Sequence, residues 1–218
     1  MGKNKIISKE QELILDEIKT NNYLSENFYF TGGTALSLVY LQHRESVDLD
    51  FFSGAKFDNE IIFGIVSNWA EKHKFTLKSR FLDPVYRFTF QFPGSEVKVN
   101  FSHYHFKQLR KPEVWKGLRV DSETDIAVNK LFTLNQRVEV KDYIDLYYLL
   151  QKYSFWDLKA GVHNKFHQDI EPYILANDFL VVKDFEFLPK MLKPLTLDEL
   201  KDSSLRKQSA LEGWPWSS

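Results

Sequence analysis

Cysteine is absent from all 218 residues. Disulfides, thiolate metal sites and cysteine nucleophiles are thereby excluded, and the chain suits a reducing compartment. An excess of charge of either sign is missing as well. Twenty-nine Lys and Arg stand against 30 Asp and Glu, a net charge of −1, so no overall positive field gathers nucleic acid or anionic lipid and a polyanion must meet a local patch. No apolar run approaches the roughly 18 residues of a membrane span, and the N-terminal MGKNKIISKEQELILDEIK is charged throughout. A cytoplasmic protein with no membrane contact is expected. There is no GxGxxG run, P-loop lysine or GxSxG elbow, which leaves dinucleotide-binding, Walker NTPase and serine hydrolase readings without support.

The chain is rich in apolar mass. Hydrophobic residues make up 43% and aromatics 16%, with 19 Phe and 10 Tyr, enough for a sizeable core. The length exceeds the roughly 100–150 residues of a common domain. An α/β domain over residues 1–120 and a helical C-terminal domain over 121–218 are expected.

Local patterns support that division. KEQELILDEIKTN spaces Leu13, Ile14 and Ile18 as an amphipathic helix, which NNYLSEN then breaks. NFYFT reads as a strand, TALSLVYLQ as a helix starting at Thr34, and VDLDFF as a second strand. Asp58 caps a helix with a stripe of Ile61, Ile62, Ile65, Val66 and Trp69. FTLKSR, VYRFTFQF and EVKVNF alternate with period two around Asp83-Pro84 and Pro93-Gly94, predicting hairpins. From Ser122 onward the periods are helical.

The stretch FYFTGGTALSLVYLQHRESVDLDFF concentrates the constrained residues. Gly32 and Gly33 allow positive φ and close approach of a ligand to the backbone, and the N–H groups of the following turn face an anion. An ordinary tight turn is the plainer alternative. Asp48 and Asp50, two apart on a strand, project to one face. Two carboxylates so close call for a cation, and oxygen-only ligands suit Mg²⁺ or Mn²⁺ together with triphosphate oxygens. A solvated pair partnered by Arg44 or a lysine is the other reading.

Taken together, a strand, Gly-Gly-Thr, 13 intervening residues and Asp-Leu-Asp resemble the first motif of the DNA polymerase β-like nucleotidyltransferase superfamily. GGTAL with HRESVDLDFF resembles its AbiEii/AbiGii-type branch, which includes toxins of bacterial toxin–antitoxin and phage-defence systems. TDIAVNKLFTLNQRVEVKDYIDLYYLL resembles that branch's later motifs. The resemblance implies a mixed sheet flanked by helices with a helical C-terminal part, and Mg²⁺-dependent transfer of a nucleoside monophosphate from an NTP to an acceptor hydroxyl on a tRNA 3′ end or a protein. It implies an antitoxin partner too. Gly32, Gly33 and Thr34 would hold the triphosphate, with Arg44, Ser46, Arg137 and Asp142 also on the nucleotide side. Asp48 and Asp50 would ligate the metal, Lys130 would contact phosphate, and Asp145 would complete the catalytic set. For Lys130, Asp142 and Asp145 a plain helix charge or a surface ion pair, such as Lys141 with Asp145, is the rival account.

One departure stands out. A third acid expected on the neighbouring strand corresponds to Asn100 in EVKVNF, and an amide cannot take a proton as a base. A non-catalytic nucleotide-binding or interaction module is therefore one alternative; a small-molecule nucleotidyltransferase of the antibiotic-modifying kind, which shares the same metal clamp, is another. His103 with His105, and His163 with His167 and Asp169, lack a further zinc ligand at a convincing spacing. Lys107, Arg110, Lys111, Lys116 and Arg119 around Trp115 read as an RNA contact or a solvated connector.

Overall fold

The computed structural model describes residues 6–212. The tail WPWSS, expected to be frayed or docked by its tryptophans, lies outside the described residues. Helix α1 (Lys9–Thr20) starts at a reciprocal cap in which Ser8 and Gln11 exchange side-chain and backbone hydrogen bonds. The buried Gln11 amide then donates to the carbonyls of Ser46 and Val47 at 3.1 and 3.0 Å, tying the helix to the chain entering the second strand. NNYLSEN is a short helix, α2 (Asn22–Asn27), where a break was expected: the Asn21 side chain accepts from the Leu24 N–H and restarts the helix.

Strand β1 (Tyr29–Thr31) runs into α3 (Gly32–Ala35), which continues as a π-helix over Leu36–Leu41. The helix thus opens at Gly32, two residues before the Thr34 start that the sequence suggests. The wide turn ends where the Gln42 N–H reaches the Ser37 carbonyl at 2.8 Å, and the Ser37 hydroxyl donates to the Arg44 carbonyl. This aims His43 and Arg44 back beneath the helix, in keeping with the frequency of π-turns at functional sites.

Strand β2 (Asp48–Ser53) follows, then α4 (Asn59–His73), β3 (Thr76–Leu82), β4 (Val85–Phe92) and β5 (Ser95–His103). With β6 (Glu113–Trp115) and β7 (Leu118–Val120), the seven-stranded mixed sheet has the order β3-β4-β5-β2-β1-β7-β6, with β2 parallel to β5 and β1 parallel to β7. Helix α4 buries Ile62, Val66 and Trp69, whereas Ile61, assigned to the same stripe from sequence, is exposed. The stretch read as a basic connector contains the hairpin β6 (Glu113–Trp115) and β7 (Leu118–Val120). Lys116 and Gly117 both take positive φ there, as a two-residue hairpin turn requires.

Helices α5 (Glu123–Leu134), α6 (Val140–Leu149), α7 (Phe155–Phe166), α8 (Pro172–Leu180) and α9 (Leu197–Glu212) follow among the described residues. One buried apolar cluster runs from Ile7 to Leu211, crossing residue 120. Among the described residues no helix is long and apolar enough to cross a membrane.

Candidate active site

Leu49 and Phe51 of β2 are fully buried, so strand alternation sends Asp48 and Asp50 to the opposite face. There they line a cleft of about 600 Å³ with Gly33, Lys130, Arg137 and Lys141. A second lobe of about 440 Å³ shares Gly33, Asp50, Phe52, Tyr104, Lys130 and Arg137 and adds Gly32 and the aromatic walls Phe106, Phe132 and Phe166.

Asp50 sits in register with Asn100 of β5. The Asn100 amide donates to Asp50 Oδ1 at 2.8 Å, while its own carbonyl accepts from Arg87 Nε at 2.9 Å. Burial pushes the Asp50 carboxyl up, the Asn100 hydrogen bond opposes this, and the negative charge of Asp48 adds to the rise. Asp48 faces Lys141, whose Nζ lies 3.7 Å from Oδ2. Gly32 takes φ +74, and a Cβ there would lie 2.6 Å from Asp50 Oδ2. Gly32→Ala is expected to destabilise the fold by about 1–3 kcal/mol through backbone strain and displacement of Asp50. Urea unfolding midpoints of the two proteins check this.

Behind the cleft lies a buried ionic network. Asp145, with a fully buried side chain, accepts from His43 Nε2 at 2.7 Å, from Arg44 Nε and Nη2 at 2.7 and 2.9 Å, and pairs with Lys130 Nζ at 2.6 Å. Lys130 also donates to Asp142 Oδ1 at 2.6 Å, and Asp142 takes Arg137 Nε at 2.9 Å. Burial alone would raise both carboxyls; the surrounding cations outweigh it and hold Asp145 and Asp142 below their usual range. Burial likewise works against the Lys130 charge, but Asp145 and Asp142 keep its pKa above the ordinary lysine value. The His43 pKa, by contrast, is driven down by burial, which favours the neutral ring, against the pull of Asp145. A Cβ on Gly33 would strike Arg44 and approach Asp145 Oδ2 to 3.4 Å, so this glycine gives Arg44 its passage.

The residues singled out in the sequence therefore divide by position. Asp48, Asp50, Gly32, Gly33, Lys130, Arg137, Arg44 and Ser46 line the two lobes. Arg44 nonetheless spends Nε and Nη2 on Asp145. Thr34 is buried with its hydroxyl bonded to Ser46 Oγ and the Asp48 carbonyl, which fixes the start of β2. Asp142 and Asp145 are buried beneath the cleft. The Lys141–Asp145 ion pair considered from sequence is not formed: Lys141 turns to Asp48 and Glu139, and Asp145 turns inward.

Sequence reading missed His43, Lys141 as a cleft residue and Arg87. Only Arg87 left a signal, its alternation with Phe88 and Tyr86 in VYRFTFQF. Two adjacent carboxylates on the cleft wall suit a hard cation that completes its shell with water and phosphate oxygens. Among the described residues no cluster of three or more His, Asp or Glu could hold a metal without such help.

This architecture is similar to that of JHP933 from Helicobacter pylori, with a TM-score of 0.59, 23% identity, and coverage of 94% of this chain and 93% of that one. It is similar to MenT4, a nucleotidyltransferase toxin from Mycobacterium tuberculosis H37Rv, with a TM-score of 0.59, 15% identity, and coverage of 95% and 83%. An uncharacterised protein of Aquifex aeolicus (strain VF5) is 32% identical over 189 residues, 82% of this chain and 84% of its own length. The fold class is that of nucleotidyltransferase toxins. The family model described as nucleotidyl transferase AbiEii toxin, type IV toxin–antitoxin system, matches residues 14–212, and the chain belongs to that family.

Proposed function

We propose that the cleft transfers a nucleoside monophosphate from an NTP to an acceptor hydroxyl, on a tRNA 3′ end or a protein, and that the chain acts in the cytoplasm as a growth-arresting toxin restrained by an antitoxin. The observation that carries this is the side-by-side placement of Asp48 and Asp50 in a cleft walled by the Gly32-Gly33 turn, Lys130, Arg137 and Lys141. Mg²⁺ or Mn²⁺ held by the two aspartates would neutralise the triphosphate and lower the pKa of the acceptor hydroxyl.

The acceptor oxygen attacks the α-phosphorus, the bond to the bridging α–β oxygen breaks, pyrophosphate leaves, and the acceptor proton passes to solvent. In this reading the N–H groups of the glycine turn, Arg137 and Lys141 bind phosphate oxygens. Lys130 has three N–H donors, two of them committed to Asp142 and Asp145, leaving one for phosphate. Positioning and charge neutralisation carry most of such a reaction.

Asn100 favours one second reading, a module that binds nucleotide without transfer. Its amide holds Asp50 in place as a donor and takes no proton. Asn100→Asp is expected to keep transfer activity, with Arg87 pairing the new carboxylate; complete loss would show that the amide itself is needed. Overexpression in bacteria tests the toxin reading: growth arrest relieved by Asp48→Ala supports it, and arrest equal in both proteins contradicts a catalytic origin.

A further inference from the structure

The face of the sheet that carries Asp48 and Asp50 extends beyond the cleft. Strand register places Asp50, Asn100, Arg87 and Arg80 in one row across β2, β5, β4 and β3, and Asp48, Lys98, Thr89 and Lys78 in the next. Directly paired residues point to the same side, so four cations share the face of the two aspartates. Lys78, Arg80, Arg87 and Lys98 are all exposed. The residues alternating with them, Phe88, Phe90, Val97 and Val99, are buried on the opposite face.

Arg80 and Arg87 are direct cross-strand partners. Like charges so placed destabilise a sheet unless something anionic lies over them. Arg87 is partly occupied by the Asn100 carbonyl at 2.9 Å, and Lys98 by Glu96 at 3.5 Å. Three strand spacings, about 14 Å, separate β3 from β2.

We propose that this row is the track for a nucleic-acid acceptor. A single-stranded end lies across β3, β4 and β5 with its phosphates on Lys78, Arg80, Arg87 and Lys98, and its terminal hydroxyl reaches Asp50. The track rests on strand register; that its occupant is the acceptor rests on the nucleotidyltransferase reading above. A protein acceptor offers no repeated phosphates for such a row, and a small molecule would not reach β3.

The test is equilibrium binding of a fluorescent mixed-sequence single-stranded RNA over a range of salt concentrations. Wild type, Lys78→Glu/Arg80→Glu, Lys78→Ala/Arg80→Ala and a control with the same charge change on α9, Lys201→Glu/Arg206→Glu, are compared, with melting curves to confirm folding. Loss of two phosphate contacts is expected to lower the log–log salt slope by about 1.4, each contact contributing about 0.7. At least a tenfold weakening is expected in the β3 variants and little change in the control.

Equal weakening in the α9 control, or no weakening in the β3 variants, overturns the track. Label transfer to protein by a wild type that binds no RNA also overturns it, while leaving the nucleotidyltransferase reading intact. RNA binding that depends on β3 without transfer to any acceptor sustains the track and defeats that reading.

Discussion

Asp145→Ala is expected to destabilise the protein by about 3–5 kcal/mol, the range seen when one partner of a buried ion pair is removed. Asp145 accepts from His43 and Arg44 and pairs with Lys130, all within a buried volume. Alanine would leave Arg44 and Lys130 charged there, with only Asp142 to compensate. Asp145→Asn keeps the shape but not the charge and is expected to fall between alanine and wild type. The dependence on pH has a definite sign. The folded-state carboxyl lies below its unfolded value, which is near 3.9, so its stabilisation is present above that value and is lost progressively as pH falls below it. Below about pH 4 the wild-type melting temperature should drop more steeply than that of Asp145→Asn. Parallel curves would show that Asp145 does not carry the acid sensitivity.

Asp48→Ala is expected to do the reverse: transfer falls by at least about 10³-fold, equivalent to about 4 kcal/mol of transition-state stabilisation, while the fold keeps its stability. The Asp48 side chain is 30% exposed and its partner Lys141 35% exposed at 3.7 Å, a pair worth about 0–1 kcal/mol. Removing one of two adjacent like charges offsets that loss. Sites assembled for function tolerate such internal repulsion at the expense of stability. A variant that unfolds easily would place Asp48 with the structural network; one that retains transfer would contradict the proposed role of Asp48 as a metal ligand.

The contrast between these aspartates shows what the sequence could convey. Period-two alternation sends Asp48 and Asp50 to one face, and the turn chemistry at Asp83-Pro84 and Pro93-Gly94 marks the β3–β4–β5 hairpins. Those features are local, and local spacing reveals them. The pairing of Arg44 with Asp145 joins residues 101 positions apart, and no short-range pattern specifies it. The same holds for Lys165 and Asp125, a fully buried pair at 2.7 Å that sequence reading did not single out. The apolar spacing of Leu36–Leu41 suits an ordinary helix and a π-turn alike, and the Ser37–Arg44 contact that accompanies the wide turn spans seven residues. The β6–β7 hairpin was hidden by its length, three residues a side.

In the proposed reaction the α-phosphorus passes to the acceptor and the γ-phosphate leaves with pyrophosphate. Incubating the protein with Mg²⁺, total bacterial tRNA and each NTP in turn, labelled once at the α-phosphate and once at the γ-phosphate, separates these two fates. Label retained on a macromolecule from the α position and absent from the γ position is the predicted result. Retention of γ-label would identify a phosphotransferase, and retention of neither label with any NTP would contradict transfer to RNA or protein.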